Sequence, residues 1–199
     1  MDEKMQAVLD AYHARMREEE KDSPDNPGWL DRVLLPVGPE TGRLINIVAR
    51  RLETPTMLEL GTSYGYSGIW LGDAARASGG RLISMELQDY KSRYAREMAT
   101  KAGLADYIDH RVGDAVAMLG ELPHGIDFVL VDLWKDLYVP CLEAFYPKLN
   151  PGAIVVADNM YRPGGEEVKA YGRAVRAKPG MTSVLLPVGT GIEVSRYEP

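Results

Sequence analysis

The sequence predicts a doubly wound α/β fold: a seven-stranded, mostly parallel sheet with an antiparallel last strand, preceded by N-terminal helices. Three observations predict it. From residue 56 onward, short apolar runs alternate with stretches of helical period, the pattern of strands joined by crossover helices. Two of the runs, 126–131 and 153–157, are almost unbroken in apolar residues, as strands buried on both faces are. The final two runs, 181–187 and 192–197, are separated only by Val188-Gly189-Thr190-Gly191, a hairpin signal that makes the end of the sheet antiparallel.

Taken in order, residues 2–20 are rich in helix formers and place Met5, Val8, Leu9, Tyr12 and Met16 on one stripe, which predicts an amphipathic helix. That stripe, in the first twenty residues, is expected to serve as a lid or as the surface of a homodimer. Two prolines and a glycine in 21–28 predict a mobile, lid-like connection. Pro39 after Gly38 fits the first position of a helix running to about Arg51, with Leu44, Ile45, Val48 and Leu52 on its buried face. Strands are then expected at 56–60, 81–87, 108–112, 126–132 and 153–158. Helices are expected at 64–77, 88–102, from Asp114, and through Tyr146. The whole reads as one domain over 1–199, with a helical cap at 1–52 and a Rossmann-like core at 53–199.

Composition narrows the function. A net charge of -6, with dispersed acids, supplies no basic field for nucleic acid. Cys141 is the only cysteine, which excludes an internal disulfide and a thiol-rich zinc site and fits a reducing cytoplasm. No apolar segment approaches the roughly 20 residues that span a bilayer, and the acidic start MDEKMQAVLD is unlike a signal peptide, so a soluble cytoplasmic protein is expected.

Both buried runs end in acids: Asp132, within Asp132-Leu133-Trp134-Lys135-Asp136, and Asp158, followed by Asn159. The carboxyl ends of parallel strands form the binding crevice of such a sheet, and neighbouring strands would bring Asp132 and Asp158 to about 5 Å. Asp132, Asp158 and Asn159 offer only oxygen ligands, which suit Mg²⁺, Ca²⁺ or Mn²⁺. Each acid alone could simply cap the helix that follows it; Lys135 and Asn159 beside them argue for a site. Upstream, the strand at 56–60 turns into a helix through Gly61-Thr62-Ser63-Tyr64-Gly65-Tyr66-Ser67-Gly68, where glycine lets a ligand approach the backbone. Glu86 ends the next strand, where a carboxylate can accept both hydroxyls of a ribose, and Gly113-Asp114-Ala115 follows the third. Glu59 is a charge inside a buried strand, which calls for a partner. A ligand amine is one candidate, and Arg51 or Arg81 the structural alternative. His13, His110 and His124 are scattered among polar neighbours and receive no role.

At these residues the chain resembles the class I S-adenosylmethionine-dependent methyltransferases, and among them the metal-dependent O-methyltransferases of the catechol and caffeoyl-CoA type. The resemblance spans about residues 35–197 and rests on Val37-Gly38, Leu58-Glu59-Leu60-Gly61, Gly65-Tyr66-Ser67, Glu86, Gly113-Asp114-Ala115, Asp132-Leu133-Trp134-Lys135-Asp136-Leu137-Tyr138 and Ala157-Asp158-Asn159. It implies a seven-stranded methyltransferase fold with S-adenosylmethionine held by Val37, Glu59, Gly61, Ser67, Glu86, Asp114, Ala115, Asp132 and Trp134. It also implies a divalent ion on Asp132, Asp158 and Asn159, and Lys135 as the base that takes the substrate's hydroxyl proton. Lysine's ordinary pKa of about 10.4 means that such a base needs a nearby cation and burial. Leu35, Trp134, Lys135, Asn159 and Pro163 would meet a phenolic small-molecule substrate, with residues 160–165 as a substrate-side loop. The chain departs from the animal catechol enzymes in having Leu133 where they have histidine. It also has Val184 or a neighbour where they carry a glutamate for the second catechol oxygen, Glu193 lying too far along. That leaves vicinal phenols, hydroxycinnamoyl conjugates or a polyketide open as substrates. The alternatives are a metal-independent or inactive methyltransferase that binds only the cofactor, and a nicotinamide-dependent oxidoreductase, which would call for a strict glycine fingerprint.

Overall fold

Seven strands share one sheet in the computed structural model, which describes residues 2–19 and 29–199. They are β1 (Thr56–Leu60), β2 (Arg81–Glu86), β3 (Ile108–Val112), β4 (Ile126–Val131), β5 (Leu149–Ala157), β6 (Met181–Leu186) and β7 (Ile192–Tyr197). Their order is β3-β2-β1-β4-β5-β7-β6; β1 to β5 run parallel, β7 is antiparallel to β5, and β6 pairs antiparallel with β7. The chain therefore winds outward from β1 in one direction and from β4 in the other. The point of reversal lies between β1 and β4, where open α/β sheets bind ligands beyond their carboxyl ends.

The helices are α1 (Glu3–Glu19), α2 (Trp29–Arg32), α3 (Gly38–Ala49), α4 (Tyr66–Ser78), α5 (Asp89–Lys101), α6 (Ala115–Glu121), α7 (Tyr138–Phe145) and α8 (Glu166–Ala177). Alternation along the strands feeds two cores. Met57, Phe128, Leu130 and Val156 face a layer that includes α1, α3, α4 and α5, while Leu58, Leu60, Val129, Val131 and Val155 face α6, α7 and α8. Met5, Val8, Leu9 and Tyr12 of α1 are buried in the first of these cores, and Met16 packs against it. The stripe expected to form a lid or dimer surface is thus consumed within the chain.

Three differences from the expected elements have physical causes. β5 begins at Leu149 rather than at 153, because pairing with β4 resumes across a register irregularity between Ile126 and Phe128 that accommodates Pro151 and Gly152. No element is expected over 166–177, where α8 buries Val168, Tyr171, Gly172 and Val175; its apolar anchors have helical spacing but enclose Gly172, which weakens a helical pattern. Between β4 and α7, Lys135–Leu137 forms a short 3₁₀ turn. The expected lid-like connection at 21–28 lies outside the described residues.

Candidate active site

The glycine loop owes its path to close approach. At Gly61, φ is +98° and a Cβ would stand 2.1 Å from the carbonyl oxygen of Asp132, so only glycine lets the end of β1 lie against the end of β4. The next turn takes Ser63 into the left-handed region (φ +47°) and donates its amide to Glu86 Oε2 at 2.7 Å, while the Gln88 amide donates to Oε1 at 3.0 Å. The Ser63 hydroxyl donates to the carbonyl of Leu34 at 3.1 Å. Leu35 beside it has φ +44° and is 46% exposed at the rim.

Glu59 is fully buried, and among the described residues no arginine meets it. The structural alternative of Arg51 or Arg81 is therefore corrected: Arg81 pairs with Asp109, and Ser84, opposite Glu59 in the β1–β2 register, donates to Glu59 Oε2. Thr62 donates in turn to Ser84 at 2.5 Å. Burial, helped by the charge of Glu86, pushes the Glu59 carboxyl up to about 7 against the hydroxyls of Ser67 and Ser84. Its Oε1 is buried without a partner. Ser84 went unnoticed in the sequence because a lone serine in an apolar strand carries no signal until the register is known.

Asp132 and Asp158 follow directly on β4 and β5, whose last paired residues are Val131 and Ala157. The Asp132 amide donates to Leu60 O and the Asp158 amide to Val131 O, so both acids continue the ladders. Neither caps a helix. Burial and then the charge of Asp158 push the Asp132 carboxyl well above the ordinary range; burial also raises Asp158, against the Thr190 hydroxyl and Lys135. Asp158 Oδ1 accepts from Thr190 Oγ1 at 2.6 Å, and Oδ2 is buried with no partner. Asn159, at φ +61°, sits in a conformation that asparagine tolerates better than most residues. Its Oδ1 accepts from Lys135 Nζ and its Nδ2 donates to Thr190 Oγ1 at 3.2 Å. Lys135 Nζ also donates to Tyr138 OH at 2.9 Å and Leu133 O at 3.1 Å, and lies 3.6 Å from Asp132 Oδ1. The Tyr138 hydroxyl donates onward to Asp158 O at 3.1 Å.

Lys135, Asp132, Asp158 and Asn159 thus converge, as do Glu59, Ser67 and Ser84. Other candidates stand differently. Asp114 is the N-cap of α6, its Oδ1 accepting from the Ala117 amide at 2.8 Å, with Ala115 starting the helix. Val37 is buried in the core at the start of α3. Trp134 is 57% exposed beside the acids and so is not core. Pro163 is exposed, after a cis peptide bond. Glu193 is buried on β7 and pairs with Arg176 of α8 at 2.6 Å. Thr190 and Tyr138 were not singled out, because a hydroxyl in a turn or an aromatic in a helix reads as ordinary turn or core chemistry. Among the described residues no three His, Cys, Asp or Glu side chains are grouped so that they could hold a metal ion; beside the acidic pair stands an amide, Asn159.

A doubly wound sheet with acids at the ends of β1, β2, β4 and β5 defines a methyltransferase-like crevice, and comparison with known proteins gives the same class. The family profile described as a methyltransferase domain matches residues 58–160. A probable O-methyltransferase of Mycobacterium tuberculosis is 33% identical over 186 residues, 88% of this chain and 78% of that protein. A catechol O-methyltransferase of Niastella koreensis is 31% identical over 132 residues, 64% of this chain and 59% of that enzyme's length. Among solved structures, an O-methyltransferase of Streptomyces achromogenes involved in tomaymycin synthesis, in complex with S-adenosylmethionine, superposes with TM-score 0.78 at 26% identity, covering 100% of this chain and 91% of that one. The chain belongs to the class I S-adenosylmethionine-dependent O-methyltransferases. The nicotinamide-dependent alternative falls with that result.

Proposed function

We propose that the protein transfers a methyl group from S-adenosylmethionine to one oxygen of a catechol-like, vicinal-diol aromatic, with a divalent ion held by Asp132, Asp158 and Asn159. Asp158 carries the reading: its Oδ2 is buried without a partner, near a second carboxylate, Asp132, that is only 15% exposed. Two anions so placed are costly to bury, and a cation between them relieves both. The all-oxygen donor set suits Mg²⁺, Ca²⁺ or Mn²⁺. When bound, such an ion polarises and orients a chelating diol, and S-adenosylmethionine supplies the methyl group.

The remaining work falls to the chain. The unpartnered Oε1 of Glu59 receives the ammonium of the cofactor's methionine part, with Ser67 assisting. Glu86 keeps free lone pairs on both oxygens for the ribose hydroxyls while the amides of Ser63 and Gln88 hold it still. Gly61 and the main chain at Val37 admit the cofactor, and Asp114 and Ala115 border its adenine. Trp134 covers cofactor and substrate, with Leu35 and Pro163 as pocket walls. Lys135 Nζ, positioned by Leu133, Tyr138 and Asn159, would take the hydroxyl proton as a neutral amine, a form that a divalent cation beside it favours over the ammonium that donates to all three.

A second reading has its own observation. Lys135 Nζ contacts Asn159 Oδ1 and approaches Asp132 Oδ1, so the side chain itself partly neutralises the acids, as a metal-independent methyltransferase would require. The two readings separate in an assay with labelled S-adenosylmethionine, vicinal diphenols and their monophenol analogues. Transfer to the diphenols that a chelator abolishes and Mg²⁺ restores is the expected result; transfer indifferent to chelator favours the second reading.

A further inference from the structure

Thr190 lies in the turn between β6 and β7, and contacts on both sides fix it there. A Cβ on Gly189 (φ +56°) would come within 2.5 Å of Thr41 Oγ1 on α3, and one on Gly191 (φ +88°) within 2.3 Å of the Tyr161 ring. The Thr190 carbonyl accepts the amides of Tyr161 and Arg162, each at 3.0 Å, and the Gly191 carbonyl accepts that of Met160 at 2.9 Å. The turn is thereby tied to the segment that follows Asp158 and Asn159. None of these contacts needs a ligand.

We infer that Thr190 is a positioning residue that sorts the donor and acceptor faces of Asp158 and Asn159 so that their oxygens point toward a cation. The inference rests on the metal reading of the acidic pair. A hydroxyl has one proton and two lone pairs. Its proton goes to Asp158 Oδ1 at 2.6 Å, leaving only lone pairs for Asn159, 3.2 Å away. Asn159 therefore turns Nδ2 toward Thr190 and Oδ1 toward Lys135 Nζ, which itself lies 3.6 Å from Asp132 Oδ1. Reversed, the amide would present N–H groups to a cation and repel it. On the carboxylate, the same bond occupies Oδ1 and leaves Oδ2 as the unpartnered atom. One hydroxyl thus sets the facing atoms of two of the three proposed ligands, as outer partners commonly orient metal ligands.

The test compares Thr190→Val, which removes the hydroxyl at nearly constant volume, with Thr190→Ser, which keeps it. Mn²⁺ is titrated into cofactor-free protein and free ion is followed by electron paramagnetic resonance, with thermal melts of the metal-free proteins alongside. The affinity should fall about 10- to 100-fold in Thr190→Val and stay close to that of the unaltered protein in Thr190→Ser. A Thr190→Val protein that melts normally and binds Mn²⁺ unchanged overturns the inference while the metal reading stands. No binding by the unaltered protein would instead remove the metal reading, and the inference with it. Should Thr190→Val not fold, Thr190→Ala against Thr190→Ser makes the same comparison: equal affinities overturn the inference, and loss in alanine alone supports it.

Discussion

Glu59 is the residue at which burial and chemistry conflict most openly. Its folded pKa of about 7 stands above the ordinary 4.5, so the folded state holds the proton more tightly than the unfolded one. Stability from this group is full below about 4.5 and is lost as pH rises through about 7, a difference of roughly 3 kcal/mol. Cofactor-free protein should therefore resist urea better at pH 5 than at pH 8, and Glu59→Gln should flatten that part of the profile; an unchanged profile would mean that Glu59 is ionised throughout. If its carboxylate pairs with the cofactor's ammonium, binding of S-adenosylhomocysteine at pH 6 should also release up to about one proton, measurable by calorimetry in buffers of different ionisation enthalpy. Residues of this kind were legible because a carboxylate inside or ending an apolar strand breaks the pattern; Asp132, Asp158 and Glu59 all did so. Ser84, Thr190 and Tyr138 were not, since their roles depend on partners that only the register and the turns supply.

Among the elements, α1 does more than cover the core. Tyr12 OH donates to Tyr64 O at 2.6 Å, and Arg15 donates to the carbonyl of Arg32 at 2.7 Å. Glu19 Oε2 accepts the Leu34 amide at 2.9 Å. The Leu34 carbonyl in turn accepts from Ser63, whose amide holds Glu86. The end of α1 is thereby connected, bond by bond, to the proposed ribose carboxylate. Glu19→Gln removes a charged acceptor from this chain, a bond of about 1.5–3 kcal/mol at most. It should weaken S-adenosylhomocysteine binding several-fold by calorimetry and leave Mn²⁺ affinity unchanged; cofactor affinity equal to that of the unaltered protein would reduce α1 to a packing element. The period of α1 was readable in advance, but its destination was not, because an apolar stripe looks the same whether it meets its own helices α4 and α5 or a second chain. α8 escaped although Val168, Tyr171 and Val175 have helical spacing, because Gly172 lies among them and weakens the pattern.

Across the whole molecule, the alternation of strands and helices was enough to give the sheet, its parallel core and its antiparallel edge, since two-sided burial and short connections leave few topologies. That topology puts the ends of β1, β2, β4 and β5 along one crevice, and each contributes an acid there: Glu59, Glu86, Asp132 and Asp158. The acids affect one another, Glu86 raising Glu59, and Glu59 and Asp158 raising Asp132. Such a field favours cations, which the cofactor's ammonium and sulfonium and a divalent ion would both be. The substrate was less legible, because its walls come from Leu35, Trp134 and the 160–165 loop, whose exposure reveals shape only in three dimensions. Asp132, Asp158 and Asn159 are proposed to form one cation site at the mouth of this crevice. Crystals grown with S-adenosylhomocysteine and Mn²⁺, measured for anomalous scattering at the manganese edge, test it most directly. A single strong peak within about 2.0–2.4 Å of oxygens from all three side chains is expected; a peak elsewhere, or Lys135 Nζ still seated on Asn159 with no peak in saturating Mn²⁺, would rule the site out.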